Sequence, residues 1–186
     1  MNINIKEFRD GIFALNTRRF GKVAELMIQI LFDLRAPDNL AYDLKTANGE
    51  KIEVKFSTVL KKCESNINAN NLLKSIVDSN IGNRMLTFEN AKILLFDCNI
   101  QQIKIREFNY LYYGCFFEDK IMICKIESSQ IASDPLIFYS NHQHRGNIGE
   151  GQFHINNATL ENHLKKYLIK WITYEELYDL FKKVAN

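Results

Sequence analysis

The chain has 186 residues, 46% of them hydrophobic and 25% charged, with a formal net charge of +2. This composition supports one folded domain with its own core and argues against wholesale disorder. It also excludes a globally basic field, so any contact with nucleic acid has to come from local clusters.

Residues 5–15 read as a helix, with Asn16-Thr17 as a break before a second one. Across residues 18–34, Val23, Leu26, Met27, Ile30, Leu31 and Leu34 recur at helical spacing. Residues 42–57, YDLKTANGEKIEVKFS, read as a β-hairpin. A short helix is expected at residues 70–78, with Leu72, Leu73, Ile76 and Val77 on its apolar side. The continuous apolar run at 91–99, AKILLFDCN, suits a strand buried on both faces in the middle of a sheet. Residues 110–117 and 120–126 form a second hairpin around Glu118-Asp119.

Residues 140–151, SNHQHRGNIGEG, are the most polar and glycine-rich stretch, and a short strand follows at 152–155. Thr159 is placed to cap a helix reaching Leu168, with a β-prone segment over 167–172. Thr173 and Glu176 have capping-box spacing and open a C-terminal helix to about Lys183. The fold class expected is α/β, a mixed sheet flanked by helices, in a single domain spanning 1–186. Cys63, Cys98, Cys115 and Cys124 form no Cys-x-x-Cys pair and read as free thiols in a reducing, cytoplasmic setting. The N-terminus lacks an apolar signal region, and no apolar run approaches the ~20 residues of a membrane span.

The first hairpin carries the chemistry. Strand side chains alternate, so Glu53 and Lys55 share one face while Ile52, Val54 and Phe56 share the other. If Tyr42 and Leu44 join the apolar face, Asp43 must stand with Glu53 and Lys55. A two-residue Asn48-Gly49 turn would place Asp43 wrongly. A three-residue loop, Ala47-Asn48-Gly49 with Gly49 left-handed, pairs Leu44 with Ile52 and Asp43 with Glu53. Two carboxylates facing each other repel and need a cation. Hard oxygen ligands favour Mg2+, with Mn2+ as a substitute, over zinc. The plainer alternative is a solvated strand face, with Glu25 an ordinary helix residue and Lys55 a solubilising charge.

Asp43, Glu53-Val54-Lys55 and the helical Glu25 resemble the PD-(D/E)XK nuclease superfamily, although Tyr42 stands where the motif's proline would be. The order of helix, hairpin, buried strand and further helices is similar as well. The whole chain resembles the small catalytic subunit of heterodimeric type IIS restriction endonucleases. In such enzymes a larger subunit recognises the DNA site and cuts one strand, and the small subunit cuts the other. The resemblance implies a restriction-endonuclease-like core and hydrolysis of double-stranded DNA to 5′-phosphate and 3′-hydroxyl ends. It makes Asp43, Glu53 and the Val54 carbonyl Mg2+ ligands, Lys55 the residue acting on water and phosphate, and Glu25 a supporting acid.

Phosphate contacts are assigned to Arg18, Arg19 and Lys22, to Lys61 and Lys62, and to His142, His144 and Arg145 in the polar loop. Each also reads as a solvated surface charge. Three other readings stay open: a repair or junction-cleaving nuclease of the same fold, a non-catalytic module that binds DNA or a partner, and a histidine-metal nuclease built on His142, His144 and His154.

Overall fold

The structure, a computed structural model, describes residues 4–62, 66–135, 137, 140–142 and 148–184, with the backbone alone at 140–142 and 148–149. It is a mixed α/β architecture built on two sheets. In chain order the strands are β1 (Leu44–Lys45), β2 (Lys51–Thr58), β3 (Asp97–Ile103), β4 (Tyr110–Phe116), β5 (Ile121–Glu127), β6 (Ser140–His142), β7 (Ile148–Asn156) and β8 (Leu168–Ile172). Five form a mixed sheet in the order β1-β2-β4-β5-β8, and three form a second sheet in the order β3-β7-β6. β2 and β4 run parallel; the other pairs are antiparallel.

The N-terminal helices are α1 (Ile5–Phe13) and α2 (Thr17–Leu31). Asn16 caps α2, its side chain accepting from Arg19 N–H at 3.1 Å, so the break falls at Asn16 and Thr17 belongs to the helix. Of the apolar set expected from Val23 to Leu34, Met27 and Leu34 are buried, Val23, Ile30 and Leu31 are half-buried and Leu26 is exposed; α2 also buries Phe20, Ala24 and Ile28. Phe20 supplies the anchor, edge-on to Phe116 with ring centroids 5.0 Å apart. Burying an aliphatic side chain such as Met27 or Ile28 contributes about 1.5–3 kcal/mol.

β4 occupies the centre of the main sheet, and alternation sorts its residues between two cores. Tyr112 and Phe116 face the helical side with Ile12, Met27, Ile28 and Leu177. Leu111, Tyr113 and Cys115 face the second sheet with Ile100, Phe153 and Ile155. Between them Gly114 sits where a Cβ would lie 1.8 Å from the carbonyl oxygen of Met122, so only glycine fits that close approach. The last helix, α8 (Tyr174–Val184), opens on the expected capping box. Thr173 N–H donates to Glu176 at 2.6 Å, and Glu176 N–H donates to Thr173 Oγ1 at 3.2 Å.

Several expectations are corrected. The 91–99 run is not a central strand. Its first residue ends α5 (Phe88–Ala91), Ile93, Leu94 and Leu95 are exposed, and β3 begins only at Asp97, on the edge of the second sheet. The helix near 70–78 forms as α3 (Leu72–Asp78), but none of its residues is buried. α4 (Ile81–Arg84) and α6 (Ser128–Ile131) are single turns. Part of the polar stretch is strand, because β7 starts at Ile148. Thr159 precedes α7 (Leu160–Lys166), yet its hydroxyl donates to His154 C=O at 2.8 Å instead of capping the helix. Cys98, Cys115 and Cys124 are free and buried; Cys63 lies outside the described residues. No helix among the described residues is long and apolar enough to cross a membrane.

Candidate functional site

The first hairpin folds in the register that alternation demands. Leu44 pairs with Ile52 and Lys45 with Lys51. Thr46 N–H donates to Glu50 C=O at 3.0 Å, closing the Ala47-Asn48-Gly49 loop, and Gly49 has φ 84°. Asp43, one residue before β1, is tied to β2 twice. Its N–H donates to Ile52 C=O at 3.0 Å, and its Oδ2 accepts from Val54 N–H at 2.8 Å.

Glu53 and Lys55 project from β2 beside Asp43. Lys55 Nζ lies 2.5 Å from Glu53 Oε1 and 3.9 Å from Asp43 Oδ2. Glu53 is only 9% exposed, so this is not a solvated strand face. Burial, chiefly, pushes its carboxyl up to about 7, with Asp43 and Glu107 adding like charge and Lys55 pulling the other way. Burial works to lower the Lys55 pKa, but the carboxylates of Glu53, Asp43 and Glu25 overcome it and hold the ammonium above its ordinary value. The lysine is thus firmly charged between two acids whose mutual repulsion it offsets.

The three side chains open into a cleft of about 270 Å³, shared with Gln102, Lys104, Glu107 and Glu150. Lys104 Nζ lies 3.8 Å from Glu107 and 3.9 Å from Glu150. These four residues carry no spacing signal. They come from β3, the connection to β4, and β7, and only the fold of the second sheet against the first brings them to the hairpin. Among the described residues, no three His, Cys, Asp or Glu side chains converge as a metal cage.

A larger groove of about 750 Å³ adjoins this cleft. One wall is α2, with Thr17, Arg18, Gly21 and Glu25; β2 contributes Lys55 and Ser57; β3 contributes Asp97, Asn99, Gln101 and Gln102. Glu25 is therefore on the groove side of Lys55, paired with Lys22 at 2.7 Å, and does not line the acidic cleft. Gln102 lies at a bulge in the β3–β7 pairing and has φ 60°, a left-handed backbone that costs an L-residue about 1–2 kcal/mol.

The cationic residues scatter. Arg18 lines the groove, and Arg19 is exposed on the same helical turn. Lys61 and Lys62 line a separate cleft with Lys74 and Arg84 that shares no residue with the acidic one. His142 is described only as backbone in β6, and His144 and Arg145 lie outside the described residues. His154 Nδ1 lies 2.8 Å from Asp97 Oδ1, and His163 is buried against Tyr113 OH at 2.9 Å, so these two histidines serve other partners.

Compared with known proteins, the chain matches no family model and no curated protein.

Proposed function

We propose that this chain is a Mg2+-dependent endonuclease of the PD-(D/E)XK type that hydrolyses phosphodiester bonds in double-stranded DNA. The observation that carries the reading is the Lys55 ammonium held against both Glu53 and Asp43 in one cleft. A buried acid, a second acid and a charged lysine at this spacing are the elements that phosphodiester hydrolysis needs. The carboxylate pair of Asp43 and Glu53 also suits Mg2+, which is commonly held by one or two carboxylates, water and substrate phosphate.

Asp43 and Glu53 would hold the ion, with Mn2+ as a substitute. Asp43 commits Oδ2 to Val54 N–H, which fixes the direction of its carboxylate. The Val54 carbonyl lies on the same strand edge and is the third oxygen donor proposed. When bound, the metal supplies Lewis acidity toward the phosphoryl oxygen and lowers the pKa of water. Lys55 orients water at the cleft mouth and donates to the phosphate, and its ammonium offsets charge gathering there. Glu53 and Asp43 keep Lys55 protonated, and Glu25 in the adjoining groove adds to them. The products are a 5′-phosphate and a 3′-hydroxyl.

A net charge of +2 and dispersed lysines give little counterion release, so the chain alone binds DNA weakly. We assign sequence recognition to a larger subunit, with this chain as the small catalytic subunit of a type IIS heterodimer that cuts one strand at a fixed offset. The test is strand-resolved cleavage of end-labelled duplex by this chain, alone and with the protein encoded beside it, intact or as Glu53→Ala. Loss of one strand's cut in the mutant complex is the expected result. Site-specific cutting of both strands by the isolated chain overturns the division of labour, and unchanged cutting by Glu53→Ala overturns the site.

A further inference from the structure

Resting on the nuclease reading, we infer that Gln102 is a positioning residue whose carboxamide holds the phosphate of the scissile strand where the two clefts meet. Three observations converge on it. Among the described residues, Lys55 and Gln102 are the two that line both the acidic cleft and the adjoining groove, so a strand passing from one to the other runs past them. Gln102 is the extra residue of the β3 bulge, displaced from the pairing that holds Gln101 opposite Gln152 and Ile103 opposite Gly151. Its backbone is left-handed at φ 60°, where glycine or asparagine is accommodated more easily. Strained backbone at the junction of two clefts is the kind of position at which a side chain is held for use.

The charge around it defines the role. The acidic cleft holds the carboxylates of Asp43, Glu53, Glu107 and Glu150 against the ammonium groups of Lys55 and Lys104. Lys104 is already drawn toward Glu107 and Glu150. An anionic phosphate entering this cleft needs a hydrogen-bond donor that does not itself pair with the acids. A neutral carboxamide N–H on an exposed bulge that lines the same cleft as Lys55 meets that need.

The experiment compares the parent with Gln102→Gly, Gln102→Ala, Gln102→Asn and Glu53→Ala. The readouts are strand cleavage in Mg2+, with the protein encoded beside this chain present, and melting temperature. Gln102→Gly relieves the backbone and removes the amide, so its melting temperature should match or exceed the parent's while kcat falls about 10- to 100-fold, the cost of a charge-assisted hydrogen bond. Half-saturation by Mg2+ should not change. Gln102→Asn keeps a carboxamide and tolerates the left-handed backbone, so it should recover part of the rate that Gln102→Ala loses. Parental kcat in Gln102→Gly overturns the inference, provided Glu53→Ala is inactive in the same assay. So does a fall in rate that tracks a fall in melting temperature, because it assigns the residue a packing role. A parent that does not cut at all overturns the nuclease reading and this inference with it, whereas an active parent beside an inactive Glu53→Ala upholds that reading and leaves the Gln102 variants to test this inference alone.

Discussion

Asp43 Oδ2 accepts a 2.8 Å hydrogen bond from the backbone N–H of Val54, eleven residues further along the chain. One acid of the pair is thereby aimed by the strand that carries the other. A side chain fixed by a backbone donor loses no rotamer entropy when it takes a ligand, so the hairpin is preorganised for a cation.

Replacing either acid should abolish cleavage while the fold survives. Glu53→Ala is expected to cut at least about 10³-fold more slowly, the scale of several kcal/mol of lost transition-state stabilisation. Near-UV circular dichroism should match the parent, since neither acid packs into an apolar cluster. A folded Glu53→Ala protein that cuts at the parental rate would falsify the site.

Lys55→Ala separates chemistry from metal binding. Its ammonium is no ligand, so Mg2+ affinity measured by calorimetry should change little or tighten, while cleavage at saturating Mg2+ falls by 10²-fold or more. Without metal, the variant leaves Glu53 and Asp43 facing each other and should lose about 2 kcal/mol, less than the 3–5 typical of a fully buried pair because Lys55 is partly exposed. Combining it with Glu53→Ala should restore most of that stability. Unchanged cleavage in Lys55→Ala makes the lysine a mere structural counter-ion.

The hairpin's register was legible because alternation leaves little choice: one apolar set of Leu44, Ile52 and Val54 forces Asp43 beside Glu53 and Lys55. The capping box at Thr173 was legible for a similar reason, since its signal spans four residues. The central strand was not. The run at 91–99 is rich in aliphatic residues, but Thr87 and Asn90 start a helical turn there, and Ile93 stays exposed at 81%. Apolar content marks what a segment tolerates, whereas the order of strands depends on long-range pairing. Glu107, Glu150 and Gln102 were hidden for that reason too, because β7 and the β3 bulge reach the hairpin only through tertiary contact.

Two glycines separate packing from propensity. Gly114→Ala drives a Cβ into the Met122 carbonyl and the Phe56 ring, and should cost about 3 kcal/mol or more by urea unfolding. Gly11→Ala, in α1 with open space around it, should stabilise by about 1 kcal/mol. Equal effects at the two positions would contradict the close approach of β4 to β5.

His163 gives the fold an acid-side weakness. It is fully buried and bonded to Tyr113 OH through Nδ1. Burial pushes its pKa down to about 4 from 6.5. The unfolded chain takes up that proton first, so the stability conferred by a neutral His163 is full above about 6.5 and is lost as pH falls toward 4. The amount is on the order of 3 kcal/mol. In His163→Asn, the drop in urea midpoint between pH 7 and pH 4.5 should be smaller than in the parent. An identical drop assigns the acid sensitivity to other groups.

The parallel pairing of β2 with β4 has a kinetic consequence. The β1–β2 hairpin closes over a three-residue loop, so Asp43, Glu53 and Lys55 come together within microseconds, while still bathed in water. Glu53 opposes Leu111 only after the chain has crossed some fifty residues, through α3, α4, α5 and β3. Closing so long a connection is slow. The charged hairpin therefore forms early at little cost, and the withdrawal of Glu53 from solvent waits for β4 to dock. A nascent chain released before residue 110 carries the three charged residues of the site but lacks the strand whose docking withdraws Glu53 from solvent.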